Sequence, residues 1–206
     1  MTKHFFRTLF SGVALLLCLT MASVYAAEPE VERLSRTFPR ATSDKIEVIE
    51  FFSYGCGHCR DFHPIIMKWA GALPADVSFR RIPVGWNRQW VNLSRLYYTL
   101  ESLGDLKRLD NAVFDAIHKE RRNDLITEKG ATRWYVEKGG NAQKFTALYN
   151  SFGINSKVSQ AESMVQQMKI ESVPTLVVDG QYMIHDGEFG AILKTADQLI
   201  ESARKK

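Results

Sequence analysis

Residues Ile46–His63 read IEVIEFFSYGCGHCRDFH and decide the fold. The apolar and aromatic first half of this stretch predicts a buried strand, which we place at Glu47–Ser53. Cys56-Gly57-His58-Cys59 follows, and the apolar spacing after it predicts a helix from Cys59 to about Leu73, kinked at Pro64. A strand that delivers two cysteines to the start of a helix is typical of a redox site.

The position of Cys56, just ahead of the predicted helix, favours its thiolate. A helix N-terminus carries about half a positive charge, and the thiolate is the form that attacks a disulfide. Cysteines in such motifs have pKa values of about 3.5–7.5, against about 8.5 for a free thiol. Cys59 lies one helical turn further on, so the two can close a small disulfide loop. We therefore predict a redox-active Cys56–Cys59 pair that gives up its disulfide readily, because its reduced thiolate is stabilised.

The same cysteines could instead form a structural disulfide or half of a zinc site. Zinc needs about four ligands. Cys56, His58 and Cys59 are too close together to serve at once, and there is no second cysteine pair. A single tight loop also stabilises little. The sequence therefore favours catalysis and predicts no metal site.

The Ile46–His63 stretch resembles the active site of the thioredoxin superfamily, and more closely that of the DsbA family of periplasmic thiol:disulfide oxidoreductases. The best-known DsbA proteins have Pro-His between the cysteines. Gly57-His58 stands here instead, which also resembles protein disulfide isomerase. In the family this dipeptide controls the redox potential, so the difference concerns the potential and not the reaction.

Residues 1–26 are predicted to be a secretory signal peptide. Lys3 and Arg7 supply a positive start, Gly12–Leu19 is a short apolar core, and small residues ending at Ala26 form a cleavage signal. The apolar core is too short for a stable membrane anchor.

Cleavage would leave Cys56 and Cys59 as the only cysteines, because Cys18 lies in the signal. A secreted protein stabilised by disulfides normally has more cysteines at wider spacing. The formal charge would fall from +4 to +2 with the loss of two basic and no acidic residues. Such a nearly neutral chain without a basic tract does not indicate nucleic-acid binding.

Residues 27–86 are expected to form the first part of the thioredoxin fold. Glu28–Lys45 is polar and holds at most one short edge strand, and Val77–Val84 predicts a second central strand. A strand, a helix and a parallel strand would make a right-handed βαβ unit.

Residues 87–169 change to helical periodicity with almost no strand signal. Five apolar stripes predict helices in this segment. Their expected joints are Gly104, Gly130, Gly139-Gly140 and Gly153. A helical block inside a thioredoxin fold is the layout of the DsbA family.

Residues 170–206 return to the thioredoxin pattern. Thr175–Val178 and Gln181–Ile184 predict strands joined by a two-residue turn at Asp179-Gly180, and Phe189–Ala203 predicts a closing helix. The expected architecture is therefore α/β, a thioredoxin-like fold with an inserted all-helical subdomain.

Pro174 follows Val173 in a strand-like run, where proline is unusual unless it has a purpose. In the superfamily that this chain resembles, the corresponding proline is cis and faces the cysteine pair. It exposes the backbone of the preceding residue to a substrate peptide and excludes metal. The resemblance thus assigns substrate binding to Val173 and Pro174, with Gly57 beside them. An ordinary trans proline at a sheet edge is the alternative.

Three further residues have a functional and an ordinary interpretation. Glu50 matches the buried acid of the superfamily, which helps to move the proton of the second cysteine, and Arg81 would be its basic partner. A surface ion pair is the alternative. His58 would tune the thiolate as a cation or hydrogen-bond donor, or be a solvated side chain.

Ordinary roles are expected for His63, His118 and His185, and Tyr54 and Phe52 line either the site or the core.

These features predict a thiol:disulfide oxidoreductase in the periplasm of a Gram-negative bacterium, with Cys56, Cys59, His58 and Glu50 as catalytic residues. It would donate its disulfide to newly exported proteins through a mixed disulfide, with no metal or nucleotide. The resemblance implies reoxidation by a DsbB-like, quinone-linked membrane protein, and we expect a monomer. Unfolded clients would dock as extended peptides in an apolar groove beside Pro174.

Three alternatives stay open on sequence alone. A disulfide isomerase or reductase would use the same cysteines, although too few residues precede the first strand for an N-terminal dimerisation domain. A non-catalytic chaperone or peptide-binding module could use the same scaffold. A zinc-binding structural module is the third.

Overall fold

The computed structural model describes residues 28–42 and 44–205. The predicted signal peptide lies outside the described residues. The five strands are β1 (Glu30–Arg33), β2 (Ile46–Phe52), β3 (Val77–Pro83), β4 (Thr175–Val178) and β5 (Tyr182–His185). The α-helices are α1 (Gly57–Ala70), α2 (Arg88–Leu103), α3 (Leu106–His118), α4 (Glu128–Glu137), α5 (Ala142–Tyr149), α6 (Phe152–Gln167) and α7 (Phe189–Arg204). A short 3-10 helix at Asn123–Ile126 precedes α4.

The strands form one sheet in the order β1-β5-β4-β2-β3. β2 and β3 run parallel, with α1 between them in the chain. β4 is antiparallel to β2, and β5 is antiparallel to both β4 and β1. The predicted thioredoxin-like architecture with an inserted helical subdomain is confirmed, and the one short strand expected before β2 is the edge strand β1.

β2 lies inside the sheet, and all seven of its residues are buried. Its β-branched and aromatic side chains fit a strand that is covered on both faces. Two glutamates are tolerated there because each forms an ion pair with an arginine on β3: Glu47 with Arg80, and Glu50 with Arg81. The strand begins and ends one position earlier than predicted, because Ser53 already belongs to the turn.

α1 begins immediately after Cys56, which is its N-cap residue, and continues through Pro64. It starts and ends earlier than predicted. Gly71 is the C-cap residue, so the helix ends at Ala70, before Leu73. The kink at Pro64 stays a prediction.

Helices α2–α6 form the inserted helical block. Side-chain oxygens of Asn87, Thr127, Asn141 and Ser151 cap the N-termini of four of these helices. Gly104 ends α2 in the left-handed conformation (φ 76°), as glycine does most readily. Gly139 follows α4 with a φ of 84°. These two glycines are joints, as predicted.

The joints predicted at Gly130 and Gly153 are wrong. Gly130 lies in the first turn of α4, where a Cβ would stand 2.1 Å from the carbonyl oxygen of Asp124. Close packing of the helix against the preceding 3-10 helix therefore requires a glycine there. Gly153 lies in the first turn of α6, directly after its Ser151 cap and Phe152.

The β4–β5 hairpin turns at Asp179 and Gly180, whose φ angles are 57° and 59°. The backbone N–H of Gln181 closes the turn on the carbonyl of Val178 at 3.0 Å. β5 begins at Tyr182, so the connection includes Gln181 and is longer than the predicted two-residue turn.

Two hydrophobic clusters stabilise the fold. The smaller one packs α1 and α7 against the sheet, and the larger one joins the sheet to the helical block. Within residues 28–42 and 44–205, no helix has the length and apolar character needed to cross a membrane.

Candidate active site

Cys56 occupies the N-cap of α1 with an extended backbone (φ −92°, ψ 122°). Its Sγ accepts a hydrogen bond from the backbone N–H of Cys59 at 3.1 Å. An anion at this position meets unpaired N–H groups and the positive end of the helix dipole. The thiol of Cys59, followed by the backbone N–H groups of Cys59 and His58, lowers the pKa of Cys56 against the opposing effect of burial. This direction agrees with the prediction from sequence.

Cys59 lies one helical turn further on and is completely buried. Burial raises the pKa of its thiol strongly, and the hydrogen bond and charge of Cys56 raise it further. The two thiols are unbonded in this structure. Of the two reduced thiols, Cys56 therefore loses its proton first.

Gly57 and His58 are exposed at the first turn of α1. His58 supports the Cys56 thiolate through its backbone N–H, whereas its imidazole lies at the surface. A Cβ on Gly57 would meet nothing within 4 Å, so the space beside Gly57 is open, whereas Cys56 is buried with 9% exposure. A tuning role of the imidazole stays a prediction.

The Val173–Pro174 peptide bond is cis, as the resemblance predicts, and the trans alternative is wrong. Cys56 Sγ lies 3.5 Å from the carbonyl oxygen of Val173 and can donate a hydrogen bond to it. Val173 and Pro174 are both partly exposed. The loop before β4 therefore presents backbone directly beside the sulfur that a substrate would attack.

Glu50 and Arg81 lie directly opposite each other on β2 and β3. Arg81 Nε donates to Glu50 Oε2 at 2.6 Å. The side chain of Arg81 is 4% exposed and that of Glu50 is 0% exposed. The alternative of a surface ion pair is therefore wrong. Burial raises the pKa of Glu50 although the charge of Arg81 opposes it, and a charge on Glu50 raises the pKa of both thiols.

Asp110 of α3 completes this cluster, and sequence reasoning missed it. Its Oδ2 accepts a hydrogen bond from Arg81 Nη1 at 2.6 Å, and its Oδ1 accepts one from the hydroxyl of Tyr54 at 2.6 Å. Tyr54 belongs to the loop that leads to Cys56, so one carboxylate ties the helical block to both the sheet and the active-site loop. A signal was present, because Asp110 stands four residues after Leu106 and three before Val113, on the apolar face of its helix.

His63 and His118 are closer to the site than the sequence suggests. His63 is 3% exposed, and its Nε2 lies 3.5 Å from Asp110 Oδ2. Burial and the charge of Arg81 lower its pKa to about 4. His118 Nε2 lies 2.8 Å from the carbonyl oxygen of Tyr54 and holds the backbone of the active-site loop.

Aromatic side chains pack around this cluster. The guanidinium of Arg81 lies 3.7 Å from the ring centroid of Phe52, and Tyr54 meets Phe52 edge-on at 5.4 Å. Phe52 and Tyr54 are both buried, so they belong to the core behind the site. On the loop itself, a Cβ on Gly55 would stand 2.5 Å from Trp90 Nε1, which explains why a glycine precedes Cys56.

Comparison with known proteins relates this geometry to a family. The family model for the DSBA-like thioredoxin domain matches residues 47–192. The thiol:disulfide interchange protein DsbA of Pseudomonas aeruginosa is 40% identical over 186 residues, which cover 89% of this chain and 88% of that protein. The protein of the same name from Azotobacter vinelandii is 36% identical over 212 residues, covering 99% of each.

The solved structures agree with these matches. A crystal structure of Pseudomonas aeruginosa DsbA superposes with a TM-score of 0.82 at 39% identity and covers 86% of this chain and 93% of that one. The oxidoreductase DsbA from Xylella fastidiosa gives a TM-score of 0.81 at 27% identity and covers 85% of this chain and 96% of its own.

Proposed function

This chain belongs to the DsbA-like thioredoxin family, and we propose that it donates its Cys56–Cys59 disulfide to newly exported proteins. It is a thiol:disulfide oxidoreductase. The observation that carries the direction of transfer is the asymmetry of the two thiols, of which Cys56 has a lowered pKa and Cys59 a raised one. A stabilised Cys56 thiolate favours the reduced enzyme and hence the loss of its disulfide to a substrate.

The transfer proceeds through two thiolate attacks. A substrate thiolate attacks the Sγ of Cys56, the Cys56–Cys59 bond breaks, and Cys59 leaves with the bonding electrons and takes up a proton. A second substrate thiolate then attacks the substrate sulfur of the mixed disulfide, and Cys56 leaves as the thiolate. The substrate loses two electrons and two protons. The enzyme gains both electrons and one proton, and the other proton goes to water.

Glu50 supplies the proton that the leaving Cys59 sulfur needs. A thiol whose pKa is raised this strongly is a poor leaving group unless it is protonated as the bond breaks. Glu50 is buried close enough to the pair for its charge to raise the pKa of both thiols. Burial raises the pKa of Glu50 itself, so it can hold a proton at a higher pH than an ordinary carboxyl. In reoxidation Glu50 would first release its proton to water, and its carboxylate would then accept the proton of Cys59.

Substrate peptides bind in extended form against the backbone of Val173, beside cis-Pro174. The support for this is the 3.5 Å distance between the Val173 carbonyl oxygen and Cys56 Sγ, which puts a backbone acceptor next to the reacting sulfur. The space beside Gly57 is open, and the exposed imidazole of His58 is placed to meet the bound peptide.

Proteins with free thiols are the substrates. We place the exchange in the periplasm of a Gram-negative bacterium, to which residues 1–26 would direct the chain. Each turnover leaves a reduced pair, and a DsbB-like, quinone-linked membrane protein is the proposed oxidant. The protein is expected to act as a monomer.

The test is a pair of matched variants, Cys56→Ser and Cys59→Ser, assayed with a reduced peptide that carries two cysteines. Cys56→Ser should lose dithiol oxidation completely. When Cys59→Ser is given the oxidised peptide, Cys56 should form a mixed disulfide with it. This mixed disulfide should accumulate, because the enzyme then has no second thiol to attack it. If Cys56→Ser still promoted client folding as well as the unmodified protein, a non-catalytic chaperone would explain the chain better.

The reduction potential separates an oxidase from a reductase. Equilibration with glutathione should give a potential well above the value of about −270 mV known for thioredoxin. A potential near that value would favour a reductant. Metal analysis of the purified protein would decide the zinc alternative.

A further inference from the structure

The cluster behind the cysteine pair holds two carboxyl groups and only one guanidinium. Arg81 donates to Glu50 Oε2 and to Asp110 Oδ2, each at 2.6 Å. The three side chains are 4%, 0% and 10% exposed. If both carboxyls were ionised, a single positive charge would have to compensate both among buried side chains, which is costly.

Apart from Cys56, whose pKa is lowered, the other titratable groups that face the cluster are neutral near pH 7. His63 from α1 contacts Asp110, and burial and Arg81 lower its pKa to about 4. Burial raises the pKa of the hydroxyls of Tyr54 and Tyr97 and of the thiol of Cys59. A cavity of about 670 Å³ adjoins His63, Arg81 and Asp110, and the charged side chains on its wall are Arg80, Glu101 and Lys107.

Asp110 is better supplied with hydrogen-bond donors than Glu50. Both oxygens of Asp110 accept hydrogen bonds, one from Tyr54 and one from Arg81. Glu50 accepts one from Arg81 through Oε2, and its Oε1 has no partner among the described residues. A carboxylate with more donors holds its charge more readily, so the one proton that the cluster needs belongs on Glu50.

We propose that Asp110 is a positioning residue for disulfide exchange: by sharing Arg81 with Glu50, it keeps a proton on Glu50, where the leaving Cys59 sulfur needs it. The inference rests on the proton-donor role of Glu50 proposed above. When the S–S bond breaks, Cys59 takes both bonding electrons and the Glu50 carboxyl supplies the proton. The carboxylate left on Glu50 is then reprotonated from water.

The direct test is a carbon-13 NMR titration of the Glu50 carboxyl in the purified oxidised protein, in which neither cysteine carries a charge. In the unmodified protein its midpoint should lie above the ordinary value of 4.5. In Asp110→Asn the charge of Arg81 compensates Glu50 alone, so the Glu50 midpoint should fall by about one pH unit. This shift corresponds to a tenfold lower affinity of Glu50 for its proton. Asp115→Asn is the matched control, because Asp115 lies on the same helix but is 46% exposed and pairs with Lys119. It should leave the midpoint unchanged.

The rate of mixed-disulfide formation is a second measurement. Relative to the unmodified protein at the same pH, oxidised Asp110→Asn should form a mixed disulfide severalfold more slowly at pH 7, and this ratio should recover as the pH is lowered enough to reprotonate Glu50. A merely structural defect would lower the rate at every pH.

The proposal is overturned if the Glu50 midpoint of the unmodified protein lies at or below 4.5, a result that needs no variant to fold. It is also overturned if Asp110→Asn moves that midpoint no more than Asp115→Asn does. These outcomes are distinct from failure of the proposed function, because the NMR titration reports the carboxyl and not disulfide exchange.

Discussion

The mouth of the active site stabilises a negative charge, whereas the buried region behind it destabilises one. At the mouth, Cys56 caps α1, where backbone N–H groups and the Cys59 thiol stabilise its anion. One helical turn away, Cys59 is buried, and its surroundings oppose ionisation. The disulfide therefore joins one sulfur whose anion is stabilised by the helix N-terminus to a second sulfur whose anion is destabilised by burial. The redox chemistry depends on this contrast.

The two regions also differ in how their charges are compensated. The mouth uses the Cys59 thiol and backbone N–H groups, and the backbone groups cannot titrate and are fixed by the helix. The cluster uses Glu50, Arg81 and Asp110, whose charges depend on one another. Substitutions in the cluster should therefore act on stability and on proton transfer, whereas substitutions at the mouth should act mainly on reactivity.

The largest effect is expected from Arg81→Met, which removes the only guanidinium that the two buried carboxyls share. The free energy of unfolding at pH 7 should fall by about 3–5 kcal/mol, the usual cost of breaking a buried ion pair. The loss should shrink as the pH is lowered, because the raised pKa of Glu50 lets this carboxyl take up a proton, after which it needs no counter-charge. Urea unfolding measures both effects.

Arg133→Met is the control for this prediction. Arg133 pairs with Asp124 at 2.6 Å but is 56% exposed. Exposed pairs contribute about 0–1 kcal/mol. If Arg81→Met cost no more than this control, the buried cluster would not have the role described.

A smaller effect is expected in the free energy of unfolding of the reduced protein relative to that of the oxidised protein, as a function of pH. Between the lowered pKa of Cys56 and about 8.5, the unfolded chain binds a proton that the native state does not, so relative stability should rise with pH. The slope is at most about 1.4 kcal/mol per pH unit, and less where solvent screens Cys56.

Above about pH 8.5 the sign reverses, because native Cys59 keeps its proton while the unfolded thiol loses it. Urea unfolding of both redox forms between pH 5 and pH 10 would therefore show a maximum in the stability difference. A difference that is independent of pH would contradict the opposite tendencies of the two thiols.

The smallest effect is expected from Gly57→Pro at the mouth. Gly57 is the first residue of α1, a position that favours proline, and its Cβ direction is open. The thiolate donors are the N–H groups of Cys59 and His58, so no donor is lost. The oxidised protein should gain about 0.4–1 kcal/mol, seen as a higher thermal midpoint.

Gly104→Ala provides the contrast for this prediction. Gly104 has a φ of 76°, which strains any side chain, so this variant should lose stability. A loss for Gly57→Pro of similar size would mean that the first turn of α1 is less open than the structure shows.

The local part of the site can be predicted from the sequence because it depends on neighbours along the chain. The placement of Cys56 at a helix start follows from the pattern around it. The pairing of Glu50 with Arg81 follows from two parallel strands in register. The cis bond before Pro174 follows from a proline in a strand-like run and from the family resemblance.

The cluster could not be predicted in full, because Asp110 reaches Arg81 and Tyr54 through contacts between distant segments. Its place on the apolar face of α3 marks it as buried but does not identify its partners. Gly130 illustrates the same limit. A glycine required by close packing against Asp124 looks, in sequence, like a glycine that ends a helix.

The central claim is that Cys56 stays ionised at the start of α1 at neutral pH. Alkylation of the reduced protein with iodoacetamide as a function of pH, with the modified residue identified by mass spectrometry, tests it most directly. The account predicts that Cys56 alone reacts, with a midpoint well below the value of about 8.5 for a free thiol. A midpoint at or above 8.5, or equal reactivity of Cys56 and Cys59, would contradict it.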